Sequence, residues 1–157
     1  MLFVAGAGGH IEQARRVLAR LDVPASRHAA VVLLTDHDRS APAPFDKVHT
    51  IASPAPKHRP SAWGDRAAYV RDCLRFFRLA SGRYRVRVVI VTGPGFAFVP
   101  SLFYKLLGAR LIVFESWSRF ERRSKCSVAL YRLADEFYVQ HEEVLELYPK
   151  ATWTGLL

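Results

Sequence analysis

Cysteine is scarce: Cys73 and Cys126 are the only two in 157 residues. They stand too far apart for a metal-binding pair and too few for a disulfide framework, so reduced thiols are expected. No uninterrupted apolar run approaches the roughly 18 residues a spanning helix needs. The opening Met1 to Ala5 has no basic segment and no small-residue cleavage site, which argues against a secretory signal. Acids are in deficit, 14 against 23 basic residues, for a net charge of +9. Internal repeats and low-complexity segments are missing, and half the residues are hydrophobic, which excludes a disordered tail.

What is present starts with arginine, 18 residues against 5 lysines. A guanidinium forks onto phosphate where an ammonium acts as a point charge. An anionic partner is therefore expected: nucleic acid, an acidic membrane surface or a phosphorylated ligand. The length suits one domain, taken as residues 1–157. Apolar runs of strand length alternate with helical patterns. Leu2 to Ala5 precedes a helix over 11–21, Ala30 to Thr35 follows and ends in a polar turn at Asp36-His37-Asp38, and a short strand over Lys47 to Ile51 interrupts a proline-rich stretch. Ser61 is placed to cap a helix that runs to about Ala80, with Ser81-Gly82 as its stop. Val86 to Thr92, Arg110 to Phe114, Glu136 to Val139 and Ala151 to Thr154 read as further strands, with helices over 96–107 and 124–133 and a helical turn over 142–147. The expected fold is α/β, a Rossmann-like parallel sheet with helices on both faces.

Ligands of such sheets bind beyond the carboxyl ends of the strands. Three strands end there in unusual loops: Gly6-Ala7-Gly8-Gly9-His10, Gly93-Pro94-Gly95 and Glu115-Ser116-Trp117-Ser118-Arg119. Glycines allow an anion close to the backbone, and a helix start offers free N–H groups and a positive dipole end. The first loop has Ile11 where a dinucleotide fingerprint needs its third glycine, and no Gly-Lys-Ser/Thr follows. His10 can donate to phosphate or act as a base, or simply cap the helix. Glu115 sits where catalytic carboxylates sit in these folds, with Arg119 near enough to pair with it or bind phosphate. The segment from Trp63 to Arg87 interleaves aromatics with arginines. Val70, Leu74 and Phe77 follow helical spacing, and Arg71, Arg75 and Arg78 line a neighbouring face, a pattern shared by interfacial helices, nucleic-acid binders and plain solvated faces. Pro100 to Leu107 is a second candidate for lipid contact.

The three loops occur in fixed order and are followed by Tyr131 to Gln140 (YRLADEFYVQ), Tyr148-Pro149-Lys150-Ala151 and Gly155. This ordered set resembles the PssD-like bacterial polysaccharide-biosynthesis proteins. It is also similar to the acceptor-side, membrane-anchoring subunit of the eukaryotic dolichol-linked N-acetylglucosaminyltransferase. The resemblance implies the amino-terminal lobe of a split GT-B glycosyltransferase. A separate UDP-sugar-binding chain would complete the enzyme, and the lobe here would hold a polyprenyl-diphosphate-linked saccharide. It implies that the glycine loop with His10 faces the acceptor diphosphate and that Glu115 lies in the cleft between the lobes. With the three strand-end loops, this makes His10 or Glu115 the expected catalytic base and Gly6, Gly8, Gly9, Gly93, Gly95, Ser116 and Arg119 the expected diphosphate-binding residues. The end near Gly155 would meet the partner chain. Trp63, Arg71, Arg75, Phe76, Phe77 and Arg78 are expected to contact an anionic membrane, since the chain opens directly on its first strand. No cofactor, metal or nucleic acid is expected, and the setting is the inner face of the cell membrane, in exopolysaccharide or capsule synthesis. The competing reading is a non-catalytic anchor that recruits and activates a separate catalytic subunit.

Overall fold

The computed structural model describes residues 1–21, 30–36, 44–55, 60–118, 120 and 123–157. Arg119 and the expected polar turn at His37-Asp38 lie outside the described residues. Seven strands, β1 (Leu2–Val4), β2 (Val32–Thr35), β3 (Lys47–Thr50), β4 (Val88–Val91), β5 (Arg110–Phe114), β6 (Glu136–Val139) and β7 (Thr152–Trp153), form one sheet. Their order is β3-β2-β1-β4-β5-β6-β7 and every pairing is parallel. The strand order therefore reverses between β1 and β4, the position beyond whose carboxyl ends ligands of such sheets bind. The Rossmann-like α/β expectation holds.

Helix α1 (Gly9–Arg20) covers one face. Its Ala14, Val17 and Leu18 pack with Phe3, Leu33, Ile90 and Phe114 of the strands. Helices α2 (Trp63–Arg83), α3 (Phe98–Leu106) and α4 (Lys125–Tyr131) cover the other face. Both faces are thus buried, which is why β1 and β4 are unbroken apolar runs and β2 turns polar only at its last residue, Thr35.

Local physics moved several expected boundaries. Ser61 does not cap α2; its hydroxyl donates to Pro54 O, and the Asp65 carboxylate accepts from the Ala62 N–H instead. The helix runs through Ser81-Gly82 to Arg83, because Ala80 is fully buried beneath that turn and Tyr84 N–H still donates to its carbonyl. The expected helix over 96–107 begins as a 3-10 turn at Gly95–Ala97 and becomes α-helical at Phe98. Pro100 falls in that first helical turn, where a missing N–H costs no ladder bond.

The inward face of α2 is also offset from the expected one. Tyr69, Cys73, Phe76, Phe77 and Ala80 are buried, while Val70 and Leu74 are 54% and 59% exposed. Phe77 stacks on Phe103 with ring centroids 3.8 Å apart, and Phe76 meets Tyr104 edge-on. Phe76 and Phe77 are therefore core residues and cannot touch a membrane. The exposed face carries Trp63, Arg66, Val70, Arg71, Leu74, Arg75, Arg78 and Leu79.

Candidate functional site: the rim between the first and fourth strands

The parallel sheet brings the loops after β1, β4 and β5 side by side, since those strands are neighbours. His10 stands at the centre. A Cβ added at Gly93 would lie 3.1 Å from His10 Cε1, and one added at Gly6 would lie 3.4 Å from its Cδ2 and 3.0 Å from Pro94 Cβ. Bare backbone on both sides is what lets the imidazole sit between the loops. Thr92 Oγ1 donates to the His10 carbonyl at 2.8 Å, which ties the start of α1 to the end of β4. Gly93 has φ +92°, a conformation side chains resist.

The expected anion-binding residues divide into two sets. Gly8, Gly9 and Gly95 are exposed on the rim. Gly8, with φ +73°, caps α1 without any side chain, so the helix begins with N–H groups open to a ligand. Those of Gly8 and Gly9 find no acceptor among the described residues. Gly6 and Ser116 are buried and Gly93 half-buried, so these three form the wall behind His10 and take no direct part in the open rim. Ser116 spends its hydroxyl on Ser118, 3.0 Å away.

Glu115 departs most from expectation. It is 2% exposed and points away from the rim. Its Oε1 accepts from Ser127 Oγ at 2.8 Å and from its neighbour's N–H at Ser116 at 3.0 Å; its Oε2 accepts from Tyr148 Oη at 2.8 Å. Its carbonyl accepts from Gln13 Nε2 at 2.9 Å. Both carboxyl oxygens are occupied by protein donors, so Glu115 anchors the loop after β5 to α4, to the carboxyl-terminal segment and to α1. That placement contradicts a catalytic role.

Sequence reasoning missed other residues that shape the rim. Asp36, at the end of β2, accepts from Ala7 N–H at 3.1 Å and holds the glycine loop open. Trp117 closes over Gly9, whose added Cβ would lie 3.1 Å from Nε1, and Arg16 covers its ring at 5.0 Å. His141 Nε2 is bonded to the Trp117 carbonyl at 2.7 Å. Trp117 lies inside the quoted loop motif, so its position was visible. Asp36 was signalled only as part of a polar turn, and nothing marked Gln13 beyond a polar residue beside the apolar stripe of α1.

Comparison with known proteins adds the family. Residues 66–157 match the family described as "Oligosaccharide biosynthesis protein Alg14 like", well over half of the chain. The chain belongs to the Alg14 family. Among its relatives are proteins named UDP-N-acetylglucosamine transferase subunit ALG14. That of Kluyveromyces lactis is 32% identical over 95 residues, covering 56% of this chain and 40% of the yeast protein. That of Candida albicans is 24% identical across 97% of the chain and 75% of its own length, and that of Homo sapiens 25% across 99% and 81%. The Alg14 match takes in Gly93, Gly95, Glu115 and Ser116; the glycine loop and His10 lie outside it, within the longer Candida and human alignments.

The Alg14-family chain contains, among the described residues, no helix long and apolar enough to cross a membrane. The carboxyl-terminal segment of this Alg14 homologue folds back on the domain. Leu157 N–H donates to Gln140 Oε1 at 3.2 Å, and Arg16 donates to the Leu157 carbonyl at 3.0 Å. Trp153 and Leu156 stay half to two-thirds exposed beside the edge strand β7.

Proposed function

We propose that this chain is the acceptor-side subunit of a two-chain inverting glycosyltransferase that moves a sugar from a UDP-sugar to a polyprenyl-diphosphate-linked saccharide. The observation that carries the reading is the open rim at the β1/β4 reversal, where an uncapped helix start and two glycine loops surround His10. Diphosphate is the chemistry that such N–H groups and a positive helix end favour. The names of the relatives supply the transfer of N-acetylglucosamine as the nearest reaction. The PssD-like motifs favour a bacterial exopolysaccharide or capsule setting on the inner face of the cell membrane.

The chemistry divides between two chains. The acceptor hydroxyl attacks the anomeric carbon of the donor, UDP departs, and the hydroxyl proton needs a base. His10 is the rim side chain suited to take it, since an imidazole titrates nearest neutral pH. The partner chain holds the UDP-sugar and stabilises the leaving diphosphate, docking near Gly155 and the exposed Trp153. The outer face of α2 supplies membrane association through Trp63, Arg71, Arg75 and Arg78, joined by Val70 and Leu74 in place of the buried phenylalanines.

The test is transfer by the chain reconstituted with a UDP-sugar-binding partner. The His10→Ala variant is expected to retain acceptor binding and lose turnover by about 100-fold, the usual size of a positioned general base. Wild-type turnover in that variant would favour the non-catalytic anchor, a chain that only recruits and activates its partner.

A further inference from the structure

The amino ends of the strands, opposite the rim, hold an unassigned basic corner. Residues 84–87 are an extended connection between α2 and β4. Side chains alternate along an extended chain. Tyr84 and Val86 pack against the core, which sends Arg85 and Arg87 outward together with Arg83 from the last turn of α2. These arginines line an open cavity of about 720 Å³ with Ser81, Tyr104 and Leu107. The acids at this edge are already committed: Asp135 binds Lys105 at 2.5 Å and Glu136 binds Arg110 at 2.6 Å. Among the described residues no carboxylate pairs with Arg83, Arg85 or Arg87. The Tyr104 hydroxyl, shielded from solvent, has no hydrogen-bond partner there. Leu106 and Leu107, 77% and 64% exposed, project beside the cavity at the end of α3.

Three unpaired guanidiniums around a cavity repel one another unless an anion sits among them. Guanidinium forks match phosphate oxygens in pairs. Two bare leucines on the lip are costly in water and favoured in an acyl layer. We propose that this corner is a binding site for the phosphate of an anionic phospholipid headgroup, with Leu106 and Leu107 entering the acyl region beside it. The proposal rests on the membrane association of α2 given above and deepens it. A diffuse attraction of charges becomes a shaped site at one end of that helix, which sets how the helix lies on the surface.

Two readouts test it. The first is flotation with phosphatidylcholine vesicles, with and without phosphatidylglycerol. The R85K/R87K variant keeps every charge but loses the forks, and is expected to weaken binding to the anionic vesicles about tenfold. The R15K/R20K variant, on α1 across the sheet from the corner, is expected to bind as wild type. Equal binding by R85K/R87K and wild type would overturn the proposal, because only net charge would then matter. The second readout is backbone-amide NMR of the full chain with glycerol 1-phosphate, which needs neither membrane nor partner. Saturable shifts confined to residues 81–87 and 104–108 are expected. Shifts only at the Gly8–His10 rim would overturn the corner site while leaving the proposed function intact. Inorganic phosphate binding there as tightly as glycerol 1-phosphate, with no competition from anionic vesicles, would overturn the lipid source.

Discussion

Three single residues carry distinct and separable loads. Glu115 holds three donors in a buried setting, so Glu115→Ala leaves Ser127, Tyr148 and an amide unpaired. We expect a loss of about 3 kcal/mol in urea unfolding. Full stability with abolished transfer would restore the catalytic role that its position after β5 suggested. Gly93 is held at φ +92° with His10 against its open side. Gly93→Ala should cost about 1–3 kcal/mol and displace the imidazole, read as a drop in melting temperature together with lost turnover. His49 titrates below the usual value of about 6.5, first through burial and then through Arg83 and Lys47. A base with a lowered pKa binds fewer protons folded than unfolded, so its contribution to stability is complete above pH ~6.5 and fades as pH falls from there through the folded value. Urea midpoints for wild type should therefore fall between pH 7 and pH 5 more steeply than those for His49→Phe. Parallel curves would contradict this. Of these roles the sequence exposed only the positions. That Glu115 points inward depends on Ser127 and Tyr148, 12 and 33 residues away, and no local pattern encodes such a meeting.

At the scale of elements, hydrophobic runs bounded by turns marked the central strands, while the edge strands β3 and β7 carry polar residues; two strands, Arg110–Phe114 and Glu136–Val139, end where the sequence places them. Buried parallel strands announce themselves in this way, because both faces must be apolar. Helix α2 was legible as a helix but not in its rotation. Its apolar residues occupy more than one face, and Val70, Leu74 and Phe77 satisfy helical spacing as well as the buried set does. Only the partners on α3 decide which set turns inward. The two faces predict opposite phenotypes. Phe77→Ala should destabilise the fold by about 3–5 kcal/mol, the usual cost of emptying a packed aromatic site. Leu74→Ala should change stability by less than about 0.5 kcal/mol, as exposed positions do, and weaken vesicle binding. If Leu74→Ala unfolds the protein or leaves vesicle binding untouched, the rotation or the lipid-facing role is wrong.

For the whole molecule, the two proposed anion sites lie at opposite ends of the sheet. The glycine rim lies at the carboxyl ends of the strands and the arginine corner at the amino ends, with α2 running between them on one face. Seven arginines, Arg66, Arg71, Arg75, Arg78, Arg83, Arg85 and Arg87, thus follow α2 and the connection after it, while Arg15, Arg16 and Arg20 sit on α1 across the sheet. On the proposed two-chain reading, transfer by the chain alone should be far below that of the reconstituted pair. The central claim is that the β1/β4 rim receives a lipid-linked diphosphate. Titrating the full chain with a short-chain polyprenyl diphosphate N-acetylglucosamine, followed by backbone-amide NMR, tests it most directly. Saturable shifts at Gly8, Gly9, His10 and Gly95 are the predicted result; an unchanged rim at saturating ligand, or shifts only elsewhere, would contradict it.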